Sequence, residues 1–138
     1  DEKNHIVSSL SNFAFMCGTA FQIQDDILGI TANEEKLGKP VGSDIIRGNR
    51  TIPLLRSFSK ANDSQKQLIQ NILGNRSASR TEVKDVINLI QDLGGVDYAK
   101  DIATSQIKTA LNLLNSVPDS KFKKLLSSWA EFMLHRSL

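Results

Sequence analysis

Cysteine is nearly missing from this 138-residue sequence. Cys17 stands alone, so no internal disulfide can form, a usage that fits a reducing, cytoplasmic setting. Histidine occurs only as His5 and His135, at opposite ends. With a single cysteine, that is too few ligands for a structural zinc site, so any metal here should be bound by oxygen. No run of eighteen apolar residues occurs, which argues against stable membrane insertion. The polar opening Asp1-Glu2-Lys3-Asn4-His5 lacks the apolar stretch of a signal peptide. The formal net charge of +2 gives no reason to expect nucleic acid or an anionic membrane as partner. No apolar–polar alternation reads as a strand, and no repeat or low-complexity tract is evident.

What is present is helical periodicity, and the fold class it predicts is all-α. A proline-free stretch from about Asn4 to Ile30 carries Ile6, Leu10, Phe13, Ala14, Cys17 and Phe21 at helical spacing. Its second half, GTAFQIQDDILGI, is apolar nearly all round, as a buried helix would be. Periodicity fails from Thr31 to Gly48, where Gly38, Pro40, Gly42 and Gly48 mark a long loop, of a length that is usually functional or disordered. Helix resumes over Thr51 to Phe58, with Pro53 in the first turn. Asn62 opens another helix, which Gly74 closes. Ser79 with Glu82 is a capping-box pattern leading into Val83, Val86, Ile87, Ile90 and Leu93, ended by Gly94-Gly95. Further helices are expected from about Val96 to Ser116 and, beyond Pro118, through Phe122, Leu125, Leu126, Trp129 and Met133. Trp129 and Phe132 read as packing residues, and Cys17 as a small buried hydrophobe. About six helices result, in three segments: 1–30, 31–48 and 49–138.

Asp25-Asp26 is the feature that stands out, since carboxylates among Phe21, Ile23, Ile27, Leu28 and Ile30 are costly unless paired or metal-bound. Gln22 precedes them by three and four residues and shares their face. Consecutive residues diverge by about 100° around a helix, so one aspartate should lead in binding an ion. Taken alone the pair is a weak motif. Both acids could equally sit solvated at a helix–loop edge, or pair with Lys39, Arg47 or Arg50. The loop KLGKPVGSDIIRGNR then supplies Lys39, Asp44, Arg47 and Arg50 between glycines. Acids on a helix followed by a basic, glycine-rich loop suit magnesium held between protein and phosphate, because Mg2+ takes only one or two protein carboxylates. Cationic side chains then offset the remaining phosphate charge.

GTAFQIQDDILGI, followed by LGKPVGSDI and GNRT, resembles the second aspartate-rich region of the trans-isoprenyl diphosphate synthases, with a short-chain archaeal look. LGGVDYAKDIATSQIKTAL and LLSSWAEFMLHR resemble that family's last helices. The resemblance implies the later half of an isoprenoid synthase-type helical bundle, in a Mg2+-dependent prenyltransferase joining an allylic diphosphate to isopentenyl diphosphate. It implies a metal role for Asp25, supported by Asp26, and substrate contacts by Phe21 and Gln22. It implies a diphosphate grip by Lys39, with Asp44 the acid of the same loop. The third acid of the usual DDxxD is Gly29 here. A diphosphate-binding lysine of many relatives is Asn49, with Arg50 beside it as the substitute cation.

Asp1 in place of an initiator methionine leads one to expect a processed or clipped chain, inactive alone, from a homodimeric parent. A non-catalytic helical partner subunit is the alternative. A terpene cyclase is disfavoured, because Gly29 and Asn33 stand where its second metal motif would place a hydroxyl residue and a glutamate.

Overall fold

The computed structural model describes residues 2–32 and 40–135. Among them lie seven α-helices: α1 Glu2–Thr31, α2 Ser43–Arg47, α3 Ile52–Lys60, α4 Asp63–Ile72, α5 Arg80–Asp92, α6 Gly95–Leu113 and α7 Lys121–His135. A 3-10 turn, Leu114–Ser116, extends α6. No strand occurs among the described residues. The all-α expectation holds, but the stretch expected to be wholly loop contains α2, so the described helices number seven rather than about six.

The chain packs as two compact units, one built on Asp1–Gln24 with Asp101–Arg136, the other on Asp25–Lys100. In the first unit, Ser9, Phe13, Cys17 and Ala20 recur every three or four residues and are buried. Ala103, Ile107, Ala110, Leu114, Ala130 and Met133 complete the buried set. Ser116 Oγ donates to Ser9 Oγ at 2.8 Å, and the Phe13 and Trp129 rings lie 6.5 Å apart. The buried stripe differs from the expected one. Ala14 is exposed and Phe21 is 39% exposed.

Helix α7 departs further from expectation. Trp129 and Phe132 are exposed, as are Phe122 and Leu125, while Ala130 and Met133 face inward. The inward face is rotated from the expected stripe toward Ala130, with Met133 common to both.

In the second unit, α3, α4 and α5 pack on one another. Leu54, Ile69, Ile72, Val83, Val86 and Ile90 are among its buried residues. Both α4 and α5 begin with complete capping boxes. Asn62 accepts from the Gln65 N–H while Gln65 accepts from the Asn62 N–H, and Ser79 and Glu82 do the same. Pro53 falls in the first turn of α3, where its missing N–H costs nothing. Ser57 Oγ donates to the carbonyls of Pro53 and Ile90 and joins α3 to α5. A Cβ at Gly95 would collide with Ser57 Oγ and the Pro53 carbonyl oxygen, so the start of α6 can approach α3 only as glycine.

By length and composition α1 is long and apolar enough to cross a membrane, with mean hydropathy 1.3 in its most apolar window. A core helix of a globular protein passes the same test. Of that window 28% is buried, along the face of Ser9, Phe13, Cys17 and Ala20.

Candidate functional site

The end of α1 and the chain after Pro40 are fastened together by backbone chemistry. The last carbonyls of a helix have no intrahelical donor. One of them, Gly29 O, accepts from the Gly42 N–H at 2.8 Å. The Thr31 hydroxyl bonds back to Ile27 O at 3.0 Å. The Gly42 bond ties the chain after Pro40 to the end of α1, so that α2 starts beside the acidic helix. Gly48 ends α2 with φ +80°, a conformation that costs glycine nothing and other residues much. The turn directs the Asn49 N–H onto the Asp44 carbonyl at 2.9 Å and lets the Gly74 N–H reach Ile45 O at 2.8 Å.

On α1, Asp25 and Asp26 are half-buried, and Gln22 and Phe21, about one turn earlier, are exposed. Residues 27–30 are buried. The greasy setting read from the sequence is therefore one-sided, and the carboxylates keep access to solvent. Their burial cost is correspondingly smaller than full enclosure would impose.

Asp44 is half-buried at the start of α2 and accepts from Asn49 Nδ2 at 2.8 Å through Oδ1. Its other oxygen, Oδ2, lies 3.0 Å from where a Cβ on Gly29 would be. Gly29 follows Asp25 by four residues and so shares its face of α1. Beside Asp44, Ser43 Oγ is buried with no hydrogen-bond partner among the described residues. Arg47 and Arg50 are exposed and form no ion pair within the described part. Other cations are engaged, Arg56 lying 4.5 Å from the Tyr98 ring and Lys66 6.0 Å from that of Phe58. Lys39, assigned a diphosphate grip from the sequence, lies outside the described residues, as do Asn33 and Arg136.

No group of three or more His, Cys, Asp or Glu side chains among the described residues could together hold a metal ion. Magnesium does not need three, since water and phosphate oxygens fill the rest of its octahedron. Accessible carboxylates on α1, with a further carboxylate held beside position 29, match that donor chemistry.

Sequence reasoning missed two features. One is the Asn49–Asp44 bond, whose only advance signal is the Asp-x-x-x-Gly-Asn spacing that a left-handed glycine turn converts into contact. The other is a cavity of about 550 Å³ lined by Ile30, Val41, Ile46, Val83 and Ile87, with Arg80 and Lys84 among its polar lining. No local pattern announces it, because its walls come from separate helices. Cys17 behaves as read: it is fully buried, and burial pushes its thiol up to about 11, so the reactive thiolate is scarce at neutral pH.

Comparison with known proteins gives the family and the fold. Residues 1–90 match the family described as Polyprenyl synthetase. A geranylgeranyl diphosphate synthase of Sulfolobus acidocaldarius is 39% identical over 132 residues, covering 94% of this chain and 40% of the relative. Geranylgeranyl pyrophosphate synthetase from Pyrococcus horikoshii superposes with TM-score 0.88 at 37% identity, over 97% of this chain and 40% of that one. A Caulobacter crescentus polyprenyl synthase, solved with calcium and isoprenyl diphosphate, gives TM-score 0.86 at 26% identity over 95% and 40% of the two chains. The chain thus spans about 40% of the length of these relatives. By the family match over residues 1–90 and the 39% identity to the Sulfolobus acidocaldarius relative, the chain belongs to the polyprenyl synthetase family.

Proposed function

We propose that the chain supplies the diphosphate-binding side of a prenyltransferase that condenses an allylic diphosphate with isopentenyl diphosphate. The observation that carries this reading is the fastening of the Asp44 turn to the end of α1, just after Asp25 and Asp26. The relative solved with isoprenyl diphosphate and a divalent cation supports it.

Asp25, supported by Asp26, would hold magnesium, which when bound withdraws negative charge from the diphosphate leaving group. Arg50, with Lys39, offsets the rest of the diphosphate charge and steadies the leaving group as the allylic C–O bond breaks heterolytically. The double bond of isopentenyl diphosphate attacks the resulting allylic cation, and a proton leaves the new carbon skeleton for the released pyrophosphate. Gln22 and Phe21 contribute an amide and an aromatic wall next to the reacting end. No protein nucleophile is required, which suits a chain whose one thiol is buried.

The 138-residue chain is expected to be inactive alone and to work as part of a longer, homodimeric, cytoplasmic enzyme. Two facts support this: its 40% span of the relatives, and the bare apolar side chains Phe15, Phe122, Leu125 and Phe132. Calorimetric titration of the purified chain with geranyl diphosphate tests the binding role. Heat should appear only with Mg2+ and vanish in Asp25→Asn. Binding that ignores both would refute the reading. Isopentenyl incorporation at a clear rate by the chain alone would refute its incompleteness.

A further inference from the structure

Position 49 is where the resemblance leads one to expect a lysine on the diphosphate, yet Asn49 is committed elsewhere. Its amide N–H meets the Asp44 carbonyl at 2.9 Å, and its side-chain NH2 meets Asp44 Oδ1 at 2.8 Å. The first bond fixes the backbone of the turn, and the second holds one oxygen of the Asp44 carboxylate. They aim Oδ2 at Gly29, within 3.0 Å of where a Cβ would stand. A third acid of the DDxxD pattern would have grown from that spot.

We propose that Asn49 is a positioning residue that holds Asp44 over Gly29, so that the carboxylate missing from α1 is delivered by α2. This deepens the reading of Asp25 as a metal ligand and rests on it. A glycine at 29 and an asparagine at 49 then belong to one arrangement: the first makes room, and the second fixes what fills it. Asp44 Oδ1 is taken up by Asn49, and Oδ2 remains for a metal ion or for the water around it. Arg50, the next residue, carries the cationic duty. Partners of this kind, which orient a ligand without touching the ion, change metal affinity by about tenfold to a hundredfold when removed.

The test is Mn2+ binding to the 138-residue chain in the presence of inorganic pyrophosphate, read by the loss of the free-ion electron paramagnetic resonance signal. Asn49→Ala should weaken binding by about tenfold, and Asp44→Asn by at least as much. The double variant should bind no worse than Asp44→Asn alone, because Asn49 acts through Asp44. Gly29→Asp placed in the Asp44→Asn background should restore most of the affinity, and there Asn49→Ala should change nothing. Circular dichroism melts of each variant report folding separately. Unchanged binding by Asn49→Ala, or equal added losses in the double variant, would overturn the role of Asn49. If Mn2+ binding is no better than that of Asp25→Asn, the metal reading of α1 fails, and this inference with it. The two failures are therefore distinct.

Discussion

Two stretches of the second unit spend their polar residues in opposite ways. From Asn62 to Asp92 they satisfy the backbone: Asn62 with Gln65 and Ser79 with Glu82 close capping boxes at the starts of α4 and α5. From Gly42 to Thr51 they do not. Both α2 and α3 begin without a side-chain cap, at Gly42 and Thr51; Arg47 and Arg50 are exposed there, and Asn49 and Asp44 orient one another. Uncapped N–H groups and exposed guanidiniums are tolerable in water and useful beside a polyanion. The first stretch is built for stability, and the second keeps its charges available.

The packing that flanks both stretches is most sensitive at Gly95. Gly95→Ala drives a methyl into Ser57 Oγ and the Pro53 carbonyl and should cost about 3 kcal/mol, the upper range for overpacking. Chemical denaturation should show it as a lower midpoint at unchanged slope. Arg50→Ala is the opposite case. It should weaken Mg2+-dependent diphosphate binding by about tenfold, in keeping with the loss of a charge-assisted hydrogen bond, and leave the thermal midpoint where it was. Ser79→Ala should lower stability by about 1 kcal/mol with no effect on binding. A loss of binding there would blur the division.

The smallest effect concerns acid. Hydrogen bonds from the Ser79 backbone and hydroxyl hold the Glu82 carboxyl below its ordinary 4.5. A lowered folded value means that the cap stabilises fully above 4.5 and that its contribution fades as pH drops through the folded value. Melts of the wild type and Glu82→Gln should therefore differ at pH 7 and converge in acid.

Much of this scaffold was legible in the sequence, for reasons specific to each signal. Pro53, the Ser79–Glu82 box and Gly94-Gly95 act locally, and each stands where the reading put it. Helix α2 escaped notice because five residues between glycines are too few to show a period. The expected stripe of α7, Phe122, Leu125, Leu126, Trp129 and Met133, is one face of the helix, and the fold buries its Met133 side together with the adjoining Ala130 while Phe122, Leu125 and Trp129 stay exposed. Which side turns inward depends on partners from distant sequence, and Ala130 with Met133 prevailed. The same holds for α1, where the periodicity allowed Ala14 and Phe21 in the stripe and the fold chose Ser9 and Ala20 instead.

The candidate site was legible in its residue types and order, from Asp25 through Asp44 to Arg50. What no pattern could supply was the fold-back of the chain after Pro40, made by the Gly42–Gly29 bond, or the use of Asn49 as a clamp. Both are contacts between residues whose separation says nothing of distance.

The central claim is that the acids on α1 bring a hard divalent ion to a leaving diphosphate. It is tested most directly by joining this chain to the N-terminal region of the Pyrococcus horikoshii relative and measuring isopentenyl incorporation at saturating Mg2+. Replacing Asp25 and Asp26 together by asparagine should cut the rate by at least about a hundredfold, the scale of losing one electrostatic stabiliser. An undiminished rate would contradict the account.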